Sequence, residues 1–273
     1  MLIATHCEDE ATIRKNLGLY KAEYGDNLTI SMHPLIRSAE ACYKSSSFAI
    51  DLAKRYGSRL HILHISTAAE TALFNNSIPL SEKKITAEAC VHHLWFSDED
   101  YATKGNLIKW NPAVKTSTDR EAILKAVLDG RIDIIATDHA PHTSEEKAKP
   151  YSEAPSGGPL VQHALTALLE MYHQRKITLE QIVEKMAHNP AICFQVDKRG
   201  FIREGYWADL VLVDLNDAWE VKKENILYKC GWSPFEGQTF QSKIDCTIVS
   251  GNIVWENGKL QDITRGKRLQ FNR

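Results

Sequence analysis

IDIIATDHAPH, residues 132–142, is the stretch whose reading decides the fold. An apolar, β-branched run ends in Ala136 and Thr137, and Asp138, His139 and His142 follow at once. A strand buried on both faces reads as such a continuous apolar run, which is the habit of parallel sheets. In a barrel of alternating strands and helices, catalytic groups collect at the C-terminal strand ends. Asp138 is therefore the first candidate site residue.

Three further strands fit the same pattern: LIATH (2–6), RLHILHIS (59–66) and KITAEAC (84–90). Helical stretches lie between them, one running to about Tyr24, one from Pro34 to Tyr56 and one from Asp119 to Asp129. Pro34 suits a helix start, and the apolar spacing from Ile36 to Ala53 is helical. Gly57 and Gly130 are the stops. Two more helices are expected at about 160–174 and 178–188, after a long loop from Thr143 to Gly158. Strand, helix, strand, helix is the order of a parallel α/β protein. Four strands cannot close an eight-stranded barrel but could make half of one. From Val196 the chain reads as short strands with Gly turns, and Ser250-Gly251-Asn252 marks a hairpin. The expected division is a barrel portion at 1–195 and a β-rich accessory domain at 196–273.

Composition excludes several classes of function. Of 273 residues, 43% are hydrophobic and 25% charged, as in ordinary globular proteins. A net charge of −2 gives no electrostatic case for nucleic acid or an anionic membrane. No apolar run approaches the ~18–20 residues that span a bilayer, and the N-terminus lacks signal-peptide features. Six cysteines without a CxxC pair read as reduced thiols of a cytoplasmic protein. Cys7 reads as a small buried filler.

Parity along the strands brings three residues together. His6 follows Leu2 and Ala4, His64 follows Leu60 and Ile62, and Asp138 follows Ile134 and Ala136, each at a strand's C-terminal end. Imidazole and carboxylate together suit Zn²⁺ or another divalent transition ion. His61 has the opposite parity and is expected to pack against helices. Glu88 and the adjacent His92 and His93 lie near the third strand's end; strand geometry would let only one of the two histidines face the site.

The segments THCEDE (5–10), HILHISTAAE (61–70), NPAVKT (111–116), IIATDHAPHTSEEK (134–147), APSGG (154–158) and ADLVLVD (208–214) resemble dihydroorotases, cyclic amidases of the amidohydrolase superfamily. The resemblance runs along nearly the whole chain. It implies a (β/α)₈ barrel of TIM type with two zinc ions at its mouth and a small β-sandwich. His6 and His64 match the histidine ligands of one metal. Asp138 matches the carboxylate that ligates the other and acts as general acid/base. Asn111, His142, Ser156 and Gly157 match substrate-contacting positions, although the family often has an aromatic where Ser156 stands.

The departures are as informative. The family's His-x-His pair, the arginine that follows it, and its bridging Asp or carbamylated Lys have no counterpart in these 273 residues. By resemblance the chain starts at the fifth strand. It is expected to be an incomplete piece of a zinc-dependent enzyme interconverting N-carbamoyl-L-aspartate and dihydroorotate in pyrimidine biosynthesis, and inactive alone. Its partner would be that small molecule, with a homodimer left open. Hydantoinase or allantoinase activity is the alternative within the enzyme class. A non-catalytic dihydroorotase-like partner subunit is the alternative outside it, and the retained His6, His64, Asp138 and His142 argue against it.

Overall fold

A computed structural model describes residues 1–261 and 266–272. The chain forms two compact units, Met1–Ala164 with Lys223–Glu236, and Leu165–Lys222 with Gly237–Arg273. These units cut the sequence elsewhere than at 195/196, and the strap Lys223–Glu236 returns to the first unit.

The first unit is built on a parallel sheet ordered β1-β2-β3-β4. Its strands are β1 (Leu2–Thr5), β2 (Arg59–Ile62), β3 (Ile85–Cys90) and β4 (Ile134–Ala136). The four strands inferred from apolar runs are all present, each shorter than expected. Ile62, Ala87 and Ala89 on the strands and Ile123, Ala126 and Val127 on the helix Ser117–Leu128 are all buried. Burying an Ile or Val side chain is worth about 1.5–3 kcal/mol, so this apolar face carries much of the unit's stability.

The helices start and stop where local chemistry requires. Asp9 accepts from the Thr12 amide at 3.0 Å and caps the helix Glu10–Tyr24. Thr116 and Asp119 form a capping box before Ser117–Leu128. The single helix expected from Pro34 to Tyr56 is two, His33–Ile36 and Ala39–Tyr56. Ser38 breaks it by capping the second helix through the Ala41 amide. Arg37 leaves helical geometry, and its guanidinium pairs with Glu8.

The ladder corrects the parity argument. Ala4 lies opposite His61, His61 opposite Thr86, and Glu88 opposite Ile134. Residues in register on parallel strands share a face, so His61, not Leu60 or Ile62, shares a face with Ala4, Glu88 and Ile134. His64 lies beyond the end of β2 with φ 37°. It escapes the alternation because the chain turns there.

In the second unit, β5 (Leu210–Asp214), β8 (Lys243–Val249), β9 (Asn252–Glu256) and β10 (Lys259–Leu260) form a sheet ordered β10-β9-β8-β5. β6 (Trp219–Glu220) pairs antiparallel with β7 (Thr239–Phe240). The expected hairpin is β8–β9, turning through Ser250 and Gly251, both at positive φ. The helices are Ala164–His173 and Leu179–Val183, the latter running through a π turn into Asn189–Phe194. No helix among the described residues is long and apolar enough to cross a membrane. All six cysteines are free thiols.

Candidate active site

His6 and His64 meet. Nδ1 of His6 lies 3.1 Å from Nε2 of His64, with the rings edge to face. Two nitrogens bound to one tetrahedral zinc stand about 3.3 Å apart, given Zn–N bonds of roughly 2.0–2.1 Å. The pair therefore fits one edge of a metal's coordination shell. Nε2 of His6 lies 3.1 Å from Oε2 of Glu8, whose side chain is fully buried and also pairs with Arg37. A carboxylate on the far nitrogen fixes the tautomer and frees Nδ1 to ligate. Burial alone would raise the Glu8 carboxyl, but the His6 hydrogen bond and the Arg37 charge outweigh it and hold it below the usual range.

His64 is held from behind. The Thr67 hydroxyl donates to the Glu70 carboxylate at 2.9 Å and the Ser46 hydroxyl donates to the same carboxylate at 2.5 Å, fixing the turn that follows His64. Burial, with the His6 charge adding, pulls the His64 imidazole down to about 4, so at pH 7 it is neutral and keeps a nitrogen lone pair that could ligate a metal. Its Nδ1 is buried without a hydrogen-bond partner among the described residues.

Asp138 stands two residues past β4, half-buried, with φ 46°. Burial pushes its carboxyl up to about 6, the Glu88 charge adds to this, and His6 opposes it. Glu88 in turn bonds His61, whose Nε2 lies 3.1 Å away while Nδ1 meets Thr86 Oγ1 at 2.8 Å. The expectation that His61 packs against helices fails for this reason: it lies with the carboxylates. His92 and His93 sit on a short helix, Val91–Trp95, rather than on a strand, and both are buried. His92 stacks on Trp110 at 4.4 Å, and His93 Nε2 donates to the Pro112 carbonyl at 3.1 Å.

The remaining candidates lie on two loops. Asn111 follows the buried Trp110, and its Oδ1 is buried and unpartnered among the described residues. His142 Nε2 donates to the Ser156 carbonyl at 3.1 Å, which joins the 138–142 loop to the 150–158 loop. Gly157 has φ 124°, and a Cβ there would meet the Ala140 carbonyl oxygen at 2.5 Å, so no other residue fits. Trp232, on the returning strap, donates to the His142 carbonyl at 2.7 Å. A cavity of about 490 Å³ lies between the strap and His139, His142 and Glu146.

The structure thus joins His6 to His64 and His142 to Ser156 by direct contact, and sets Asp138 electrostatically beside His6. Among the described residues, no three His, Cys, Asp or Glu side chains stand together as a metal-holding group. Sequence reasoning missed Glu8 as the support of His6, Arg37 behind it, and Trp232 on the strap. The run of acids after His6 was the visible signal for Glu8; the strap's return gave none.

The amidohydrolase family model matches residues 36–254. The chain belongs to the amidohydrolase family. Curated relatives of this amidohydrolase include the dihydroorotase of Halobacterium salinarum, 37% identical over 224 residues, covering 81% of this chain and 50% of that protein. The dihydroorotase of Carboxydothermus hydrogenoformans is 35% identical over 259 residues, 94% of this chain and 58% of that protein. The chain thus spans only half to three-fifths of the length of these relatives. Among solved structures, the L-hydantoinase (dihydropyrimidinase) of Arthrobacter aurescens superposes with a TM-score of 0.85 at 24% identity, over 95% of this chain and 58% of that one. The dihydropyrimidinase of Brevibacillus agri gives 0.84 at 21%, over 95% and 57%. The expected fold is borne out: an α/β metal-hydrolase fold of TIM-barrel type, with β1–β4 as its parallel sheet.

Proposed function

We propose that this amidohydrolase chain carries part of a dihydroorotase active site, which opens and closes the ring of dihydroorotate reversibly, with N-carbamoyl-L-aspartate as the open form. Identities of 35–37% to dihydroorotases support the substrate class. The observation that carries the chemistry is the His6–His64 nitrogen pair beside a carboxyl held near the pKa a general base needs.

His6 and His64 would hold one zinc ion, and Asp138 would ligate the other ion of the centre, by the chemistry of these donors. Bound there, the ion would lower the pKa of water and polarise the ring carbonyl. Asp138 takes the proton released as water adds to the carbonyl carbon. It returns that proton to the ring nitrogen as the C–N bond breaks. Asn111, His142 and the 156–157 segment hold the substrate's carboxylate and ring atoms in position for attack. The remaining ligands of a two-metal centre are not among the described residues, so this chain alone is expected to bind at most one zinc ion weakly and to turn over nothing. The reaction serves pyrimidine synthesis in the cytoplasm in this reading.

The test is an assay of the complete reading frame's product on dihydroorotate, carbamoyl-aspartate, hydantoin and allantoin. Turnover of dihydroorotate well above the other rings supports the proposal, and preference for hydantoin would replace it with the hydantoinase reading that the structural neighbours keep in view.

A further inference from the structure

Two lysines lie buried in the first unit. Lys147 is 2% exposed and Lys109 is 7% exposed. Neither forms an ion pair among the described residues. Their ammonium groups are spent on main-chain carbonyls instead. Lys147 Nζ donates to Gly157 at 2.8 Å, to Pro155 at 2.9 Å and to Lys109 at 3.3 Å. Lys109 Nζ donates to Tyr151 at 2.6 Å and also to Ala154. An ammonium has three donors, and Lys147 has three carbonyls to fill them.

The location of these carbonyls gives the arrangement its meaning. Tyr151, Ala154, Pro155 and Gly157 surround Ser156 in the loop taken to contact substrate. The Lys109 carbonyl lies two residues before Asn111, and it also accepts the Gly157 amide at 2.8 Å. Lys147 therefore ties the loop at 150–158 to the segment that carries Asn111. Burial lowers both lysines, Lys109 to about 8 and Lys147 to about 7, with Arg37 adding at Lys109 and Lys109 at Lys147. Placing two cations here works against desolvation, and the carbonyl dipoles offset that cost.

We propose that Lys147, assisted by Lys109, is a positioning residue that sets the 150–158 loop in register with Asn111 for substrate binding. Lys147 touches no reacting atom; it acts through the carbonyls of Pro155 and Gly157. The catalytic part of this inference rests on the dihydroorotase reading above, whereas the loop clamp does not.

The experiment compares wild type with Lys147→Met in the complete protein, by amide hydrogen exchange across 150–158 and by steady-state kinetics on dihydroorotate. The Gly157 amide should exchange about tenfold faster, and KM should rise about tenfold while kcat stays within about threefold. Lys109→Met, which frees only Tyr151 and Ala154, gives the same readouts if Lys147→Met does not fold. Unchanged Gly157 exchange in a folded variant would overturn the clamp. A fall in kcat at constant KM would overturn the positioning role. A wild type that never turns over dihydroorotate would sink the functional reading while leaving hydrogen exchange to judge the clamp.

Discussion

Two corners of the candidate site are held by opposite means. At the imidazole corner, His6 is backed by a charge chain: a buried carboxylate, Glu8, and the guanidinium of Arg37. At the loop corner, His142, Ser156 and Gly157 are held through main-chain groups: the Ser156 carbonyl, the Trp232 indole on the His142 carbonyl, and the lysine clamp. A ligand must present one lone pair in one direction, which a charged hydrogen bond on the opposite nitrogen enforces. A substrate loop must hold a backbone shape, which carbonyl contacts enforce without adding a negative charge. The difference teaches that the two corners should fail differently, the first in metal binding and the second in substrate binding.

The largest effect should come from the group that belongs to neither scaffold. Asp138→Asn keeps the shape and removes the proton carrier, so kcat should fall about 10²–10⁴-fold while substrate still binds; stopped assays with a binding titration would show it, and near-normal turnover would strip Asp138 of its role. Next, Glu8→Gln should weaken zinc binding about 10–100-fold and leave Arg37 uncompensated. Zinc titration with a competing chelator measures this, and an unchanged affinity would erase the distinction between the corners. Gly157→Ala should cost roughly 1–3 kcal/mol of stability through backbone strain and the clash with Ala140, seen as a lower Tm with zinc affinity unaltered. Trp232→Phe loses one hydrogen bond, worth about 1 kcal/mol, and should raise KM only a few-fold.

A pH experiment probes the scaffold that joins the loops. His33 Nε2 donates to the Trp110 carbonyl at 2.7 Å, while Nδ1 meets the Tyr151 hydroxyl at 3.0 Å. Burial holds this imidazole down at about 3, against an ordinary value near 6.5, with the Trp110 bond opposing. A base depressed in the folded state takes its proton first in the unfolded chain. Stability should therefore fall as pH drops from about 6.5 towards 3, and rise with pH across that window. His33→Gln should flatten the slope of Tm against pH there; an unchanged slope would show that another group carries it.

Much of the fold was legible because apolar runs and caps are local signals. β1 to β4, the hairpin at Ser250-Gly251 and most helix stops follow from short windows of sequence. The break at Ser38 has a local signal, the Ser38 cap, and is accompanied by a tertiary pair, Arg37 with Glu8, that the sequence does not announce. His64 meets His6, but not by the count that put it there. Counting by twos from Leu60 put it on the site's face, yet the ladder gives that face to His61, and a turn at φ 37° delivers His64. Asp138 shares such a turn, at φ 46° two residues past β4, whereas His6 directly follows β1 in phase with Ala4. The His92-His93 pair was misread as extended because nothing in Cys-Val-His-His announces a helix. The clamp of Lys109 and Lys147 left no signal, since a lysine that serves carbonyls looks like any surface lysine in sequence.

The most direct test is zinc content measured together with dihydroorotate turnover, on this chain alone and on the product of the complete reading frame. The account predicts two zinc ions per site and turnover for the complete product, with at most one weakly bound ion and no turnover for the isolated chain. Two zinc ions held stoichiometrically by the isolated chain, or a fully zinc-loaded complete product that leaves dihydroorotate untouched, would contradict it.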